Sequence, residues 1–166
     1  LYDVTFEVRR AGTVLDRVQS YFGLREVAVS NGRVWINGRS VYLKWVLDQG
    51  YWPESTLTPP SDEAIKFDIE VTKEMGFNGC RKHQKIEDPR FLYWADKLGL
   101  LIMYDFPSPD LDTPAMRRTF EQTLPRALAR DFNSPSIFAW VIFNETWGLT
   151  NHDTADSHRW VRKLLH

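Results

Sequence analysis

The sequence predicts an α/β fold: the first half of a (β/α)8 barrel, about four βα units, behind a short β-rich segment. Three observations predict it. Apolar runs suited to buried strands alternate with segments of helical period, at about thirty residues per unit. Strands separated by helices pair in parallel, through right-handed crossovers. Finally, Asp48, Arg81, Asp105 and Glu145 fall at four consecutive strand ends, the rim where such a barrel carries its chemistry.

The elements follow in order. Tyr2, Val4, Phe6 and Val8 alternate with Asp3, Thr5, Glu7 and Arg9, a half-buried strand closed by a turn at Ala11-Gly12. Strand character continues through Val14–Phe22 and Val27–Val29, so residues 1–30 read as the terminal strands of a β-sandwich and residues 31–166 as the half-barrel. Ser30-Asn31-Gly32 is a turn. Val34 to Leu43 is a hairpin about Asn37-Gly38, a pair that supplies the two positive φ values of a type I′ turn. Leu43–Leu47 is the first barrel strand and ends in Asp48-Gln49-Gly50-Tyr51-Trp52-Pro53-Glu54.

A long loop leads to Ser61, an N-cap followed by two acids that suit the positive end of a helix dipole. Ala64, Ile65, Phe67, Ile69, Val71 and Met75 give that helix a broad apolar face, and Gly76 ends it. Phe77–Arg81 is a short strand that delivers Arg81 and His83 to the rim. Asp88-Pro89 opens a helix with Phe91, Leu92, Trp94, Ala95 and Leu98 on one face, stopped by Gly99. Leu100–Tyr104 is the third barrel strand and ends in Asp105-Phe106-Pro107. Thr113-Pro114 starts a helix that Pro125 is expected to kink or split. Ser136 to Phe143 is a fourth strand, apolar enough for burial on both faces, which breaks into Asn144-Glu145-Thr146-Trp147-Gly148. A last helix begins near Asp153 or Thr154, with Trp160, Val161, Leu164 and Leu165 apolar.

Composition narrows the function classes. A chain that is 43% hydrophobic and 14% aromatic can bury a sizeable core. A net charge of −1, with acids and bases interspersed, gives no basic footprint for nucleic acid. One cysteine, Cys80, rules out a disulfide framework, and the four histidines have no metal-ligand spacing. No phosphate-binding glycine loop sits at a strand–helix junction, so no nucleotide cofactor is expected. No signal peptide or membrane span is present. The chain begins at Leu1, directly in a strand pattern, and reads as an internal piece, so its compartment is left undetermined.

On these motifs the chain resembles glycoside hydrolase family 2, the β-galactosidases, β-glucuronidases and β-mannosidases. The matching stretches are Ile36-Asn37-Gly38-Arg39, Leu47 to Pro53, Gly76-Phe77-Asn78 with Arg81-Lys82-His83, Asp131 to Ile137, and Trp140 to Glu145. The resemblance implies that residues 1–30 end an immunoglobulin-like domain and that residues 31–166 begin a catalytic barrel. It implies a retaining β-glycosidase with Glu145 as general acid/base, Asn144 bonded to the sugar 2-hydroxyl, Arg81 supporting the carboxylates and His83 a polar group on the substrate side. Asp48 and Asp105 are rim positions for substrate. Trp52 and Trp147 either stack on a pyranose face or pack on the barrel rim.

Retaining hydrolysis needs a proton donor of raised pKa and a carboxylate nucleophile about 5–5.5 Å away. The family's nucleophile comes from a later strand, and no acid among residues 1–166 matches it. Three readings therefore stand side by side: the acid/base half of a glycosidase, inactive alone and with a β-glycoside as its ligand; a non-catalytic carbohydrate-binding module; and a half-barrel whose open edges drive homo-oligomerisation.

Overall fold

The computed structural model describes residues 1–165. His166, the last residue of the expected barrel segment, lies outside the described residues. β1 (Tyr2–Arg10) and β2 (Thr13–Phe22) form an antiparallel hairpin. β3 (Val27–Ser30), β4 (Arg33–Ile36) and β5 (Arg39–Val41) form a separate antiparallel sheet. Its turns are Asn31-Gly32 and Asn37-Gly38, with φ of 51° and 68°, then 50° and 72°. These are the paired positive values of type I′ hairpins. Residues 30 and 31 thus fall at a tight turn whose flanking strands pair with each other.

The third sheet is parallel and holds β6 (Trp45–Asp48), β7 (Gly79–Lys82), β8 (Leu101–Asp105) and β9 (Ile137–Val141), side by side in chain order. Each strand is followed by a helix: α1 (Asp62–Glu74), α2 (Pro89–Leu98), α3 (Pro114–Asp131) and α4 (Ala155–Leu164). This is the half-barrel order that the alternation of patterns predicts. The caps form as read: Ser61 accepts from the amide of Ala64, Asp88 from that of Arg90, Thr113 from that of Met116, and Thr154 from that of Ser157. Gly99 closes α2 in the left-handed region (φ 74°).

The core lies between sheet and helices. Ile65 and Ile69 of α1, Phe91, Leu92 and Ala95 of α2, Phe120 and Leu124 of α3 and Trp160 of α4 close over Cys80, Ile102, Tyr104, Phe106 and Ile137. Each large side chain so buried contributes about 1.5–3 kcal/mol relative to exposure. Gly79 lies against the Trp45 indole, and a Cβ there would also meet the Leu101 carbonyl oxygen at 2.7 Å. The hairpin is tied to this core by one carboxylate. Asp96 accepts from the Tyr21 hydroxyl (2.7 Å), the Ser134 hydroxyl (2.8 Å) and the Ser136 amide (2.8 Å).

Four expectations need correction. The fourth strand is shorter than Ser136–Phe143 and is not buried on both faces. Only Ile137 within β9 is fully buried, because the helices pack over one face of the sheet and leave the other without a covering layer among the described residues. The apolar face of α1 is narrower than read: Ile65 and Ile69, four apart, turn inward, while Phe67 and Met75 are about two-thirds and seven-tenths exposed (67% and 71%). Leu165 at the end of α4 is likewise exposed. Of the kink or split expected at Pro125, the split does not occur, since α3 runs unbroken from Pro114 to Asp131.

Candidate functional site

The C-terminal ends of three of the four parallel strands, β7, β8 and β9, bring one linked group together. Arg81 at the end of β7 donates from Nη2 to Asp105 Oδ2 (2.7 Å) and from Nε to the same oxygen (3.1 Å). Its Nη2 also donates to Asn144 Oδ1 (2.7 Å). Neighbouring parallel strands in register make this possible, since Arg81 pairs with Met103, two residues before Asp105, and Asp105 pairs with Val141, three before Asn144. The Asp105 side chain is fully buried and that of Arg81 is 30% exposed. The guanidinium therefore caps the carboxylate from the open side.

This arrangement fixes Asn144. Its oxygen is used by Arg81, so its NH2 group is the part left to meet a ligand. Its backbone amide donates to Ser108 Oγ (2.9 Å), and the Ser108 amide donates to Gln84 Oε1 (3.2 Å), so the loops after β7 and β8 brace the exit of β9. Oδ1 of Asp105 is buried and has no hydrogen-bond partner among the described residues. A buried carboxylate oxygen without a partner is uncommon in a folded chain.

Glu145 follows Asn144 in an exposed turn, with its backbone in the left-handed region at φ 54°. A side chain there costs about 1–2 kcal/mol of backbone strain, a cost characteristic of functional turns. Trp147 is half-exposed beyond it, its amide bonded to the Asn144 carbonyl (3.1 Å). Glycine at 148 is required by φ 76° and by Pro109, whose Cδ would lie 2.7 Å from a Cβ.

The remaining expected site residues lie apart from this group. Asp48 does not join Arg81. Its Oδ2 meets Lys82 Nζ at 2.5 Å and its Oδ1 accepts from the Gly50 amide (2.7 Å). Lys82 points the opposite way from Arg81, as alternation along β7 requires, and lies over the Phe91 ring of α2. Lys82 is 1% exposed and also reaches Glu87 Oε2 at 2.9 Å, while Lys85 reaches Glu87 Oε1 at 3.0 Å. Burial lowers the pKa of the Lys82 ammonium, but Asp48 and Glu87 together outweigh it, and the net shift is upward. His83 pairs with Gln49 (3.1 Å). Trp52 is half-buried against the core and bridged to Thr56 through both backbone groups.

Lys82, Lys85 and Glu87 are residues that motif reading did not single out as a unit. The local pattern hides them, since Lys82 and Lys85 lie in the polar run Arg81 to Lys85, and a lysine is buried only when paired across space. Among the described residues no group of three or more His, Cys, Asp or Glu is arranged to hold a metal ion. No helix among them is long and apolar enough to cross a membrane.

The TIM barrel domain of glycosyl hydrolases family 2 matches residues 27–164. A β-galactosidase of Lactococcus lactis is 31% identical over 152 residues, covering 86% of this chain and 15% of its own length. Beta-galactosidase 2 of Enterobacter cloacae is 29% identical, covering 91% and 15%. The chain thus spans about 15% of the length of these curated relatives. In fold it superposes on a β-glucuronidase from Ruminococcus gnavus, solved with D-glucuronic acid, at a TM-score of 0.85 and 23% identity, over 98% of this chain and 28% of that one. Beta-glucuronidase 3 of Bacteroides uniformis gives a TM-score of 0.84 at 21% identity, over 98% and 21%.

Proposed function

The chain belongs to glycosyl hydrolases family 2, and from that membership we propose that it carries the acid/base half of a retaining β-glycosidase active site. Glu145 is the general acid/base, donating its proton to the glycosidic oxygen and later taking one from water. Asn144 donates its NH2 to the sugar 2-hydroxyl. Arg81 orients Asn144 and neutralises Asp105, and Asp105 Oδ1 accepts from a sugar hydroxyl. His83 and Trp147 line the approach to the sugar, whereas Asp48 and Trp52, expected there from the sequence, are held by Lys82 and by the core. The substrate is a β-galactoside or β-glucuronide, by kinship with the relatives.

The observation that carries this reading is the hydrogen-bonded run Asp105–Arg81–Asn144 across three strand ends, immediately before Glu145. It holds the amide of Asn144 in one orientation before any ligand arrives, which is what a catalytic turn needs. The nucleophile is not assigned within residues 1–166, so the chain by itself hydrolyses glycosides negligibly. In a complete polypeptide carrying this segment, Glu145→Gln lowers kcat by about 10²–10⁴-fold on alkyl glycosides, whose leaving groups need a proton. On aryl glycosides with acidic leaving groups, cleavage of the glycosidic bond suffers far less. Equal losses on both, or strong turnover by residues 1–166 alone, would overturn the assignment. A second reading, a carbohydrate-binding or self-associating half-barrel without turnover, is favoured by the two unpaired outer edges of the parallel sheet, at β6 and β9.

A further inference from the structure

The segment that leaves β8, Phe106 to Pro109, lies alongside the end of β9 and the turn that carries Glu145. It meets them at three points. The Phe106 amide donates to the Val141 carbonyl oxygen (2.9 Å). Ser108 Oγ accepts from the Asn144 amide (2.9 Å). Pro109 lies so close to Gly148 that a Cβ there would meet its Cδ at 2.7 Å and its carbonyl oxygen at 2.9 Å. We propose that Ser108 is a positioning residue for Glu145, acting through the main chain of Asn144, and that Gln84 holds Ser108 in place for that role; the inference rests on the glycosidase reading and deepens it.

The sequence makes this segment stiff. It reads Phe106-Pro107-Ser108-Pro109. Each proline fixes its own φ at about −65° and confines the residue before it to extended backbone, so all four residues are restricted. Prolines carry no N–H, which leaves the segment two amides. Phe106 gives one to β9, and Ser108 gives the other to Gln84 Oε1 (3.2 Å), in the loop after β7. Gln84 itself has a left-handed backbone (φ 51°), a conformation that a residue other than glycine keeps only where surrounding contacts hold it.

Asn144 is thus held twice, by partners that control different things. Arg81 takes its side-chain oxygen and so fixes the amide offered to a sugar. Ser108 takes its backbone N–H, which lies beyond the last pair of the ladder, Asp105 with Val141. That N–H immediately precedes Glu145, whose φ of 54° is the strained step of the turn. Ser108 at Asn144 and Pro109 at Gly148 pin both ends of the turn to one stiff segment. Within it, the Trp147 amide donates to the Asn144 carbonyl oxygen (3.1 Å). The pinning therefore controls the direction in which the Glu145 side chain leaves the backbone. A reacting group misplaced by about 1 Å loses up to about 10²-fold in rate.

The test compares methyl and dinitrophenyl β-galactosides and β-glucuronides as substrates of a complete polypeptide carrying this segment. In kcat/KM, which reports the steps through cleavage of the glycosidic bond, a methanol leaving group needs a proton from Glu145 and a dinitrophenolate does not. Ser108→Ala is expected to lower kcat/KM about tenfold on the methyl glycoside and no more than about twofold on the dinitrophenyl one. Gln84→Ala should show the same preference at about fivefold and add little to Ser108→Ala in the double variant, since both act on one segment. If Ser108→Ala loses cooperative thermal unfolding, Gln84→Ala decides by the same comparison. Equal losses on the two leaving groups, or none, overturn the positioning role; Glu145→Gln, measured in parallel and still discriminating between them, then leaves the glycosidase reading standing. A discriminating Ser108→Ala beside an indifferent Gln84→Ala overturns the part given to Gln84. A Glu145→Gln variant that does not discriminate, or no turnover of either sugar pair, overturns both the reading and this inference.

Discussion

Glu145 stands in a backbone conformation that glycine adopts freely and glutamate does not. Glu145→Gly should therefore stabilise the chain by roughly 0.5–1 kcal/mol, the strain relieved less the extra unfolded-state freedom of glycine. A urea midpoint that falls instead would show that the carboxylate has a structural role. Two phenols offer a second measurement. Burial, and after it Asp131, pushes the Tyr104 pKa far above its ordinary value, and burial with Asp96 does the same to Tyr21. A folded-state pKa above the unfolded one means that the neutral form is favoured in the fold. Its contribution is complete below about pH 10 and is lost as pH rises beyond that. Tyr104→Phe and Tyr21→Phe should each flatten the fall in stability above about pH 10 seen by urea titration. A slope unchanged in both variants refutes the coupling. Burial also pushes the Cys80 thiol up to about 12, so it behaves as a core residue.

At the scale of elements, local signals carried most of the prediction. Ser61, Asp88, Thr113 and Thr154 cap helices because their oxygens accept amides two or three residues on, a rule internal to each segment. The Asn-Gly turns were equally legible. What a single sequence hides is which face finds a partner. Phe67 and Met75 are apolar but turn away from the sheet, and β9, apolar enough for burial on both faces, is fully buried only at Ile137. The site divided along the same line. Arg81 and Asp105 were legible as strand ends and do meet, and Asn144, named by the family resemblance beside the strand end Glu145, joins them. Asp48 was read at the same rim, but it goes to the helix side, because the buried ammonium of Lys82 draws it there. Pro125 is a further case, since α3 continues through it at the cost of a backbone hydrogen bond to Glu121. Pro125→Ala should raise stability by about 1–3 kcal/mol, read as a higher thermal midpoint. A lower midpoint would mean that the proline is fitted to a bend the fold requires.

At the scale of the molecule, the parallel sheet leaves the outer edges of β6 and β9 unpaired among the described residues, and Leu47 on β6 is 55% exposed. Open apolar edges favour pairing with a second chain. The 166-residue chain should sediment as a dimer or larger species at micromolar concentration, and Leu47→Lys should shift it toward monomer. A wild-type monomer under the same conditions would show that the edges are protected in another way. The order β6-β7-β8-β9 in the sheet is also the order in the chain. Each strand therefore finds its partner already made when it leaves the ribosome, and each helix closes over a surface laid down only moments earlier. The caps at Ser61, Asp88, Thr113 and Thr154 mark the start of each installment. The unit bearing Asn144 and Glu145 comes last of the four, so the turn that holds them forms on a sheet whose braces, Arg81, Gln84 and Ser108, are already synthesised.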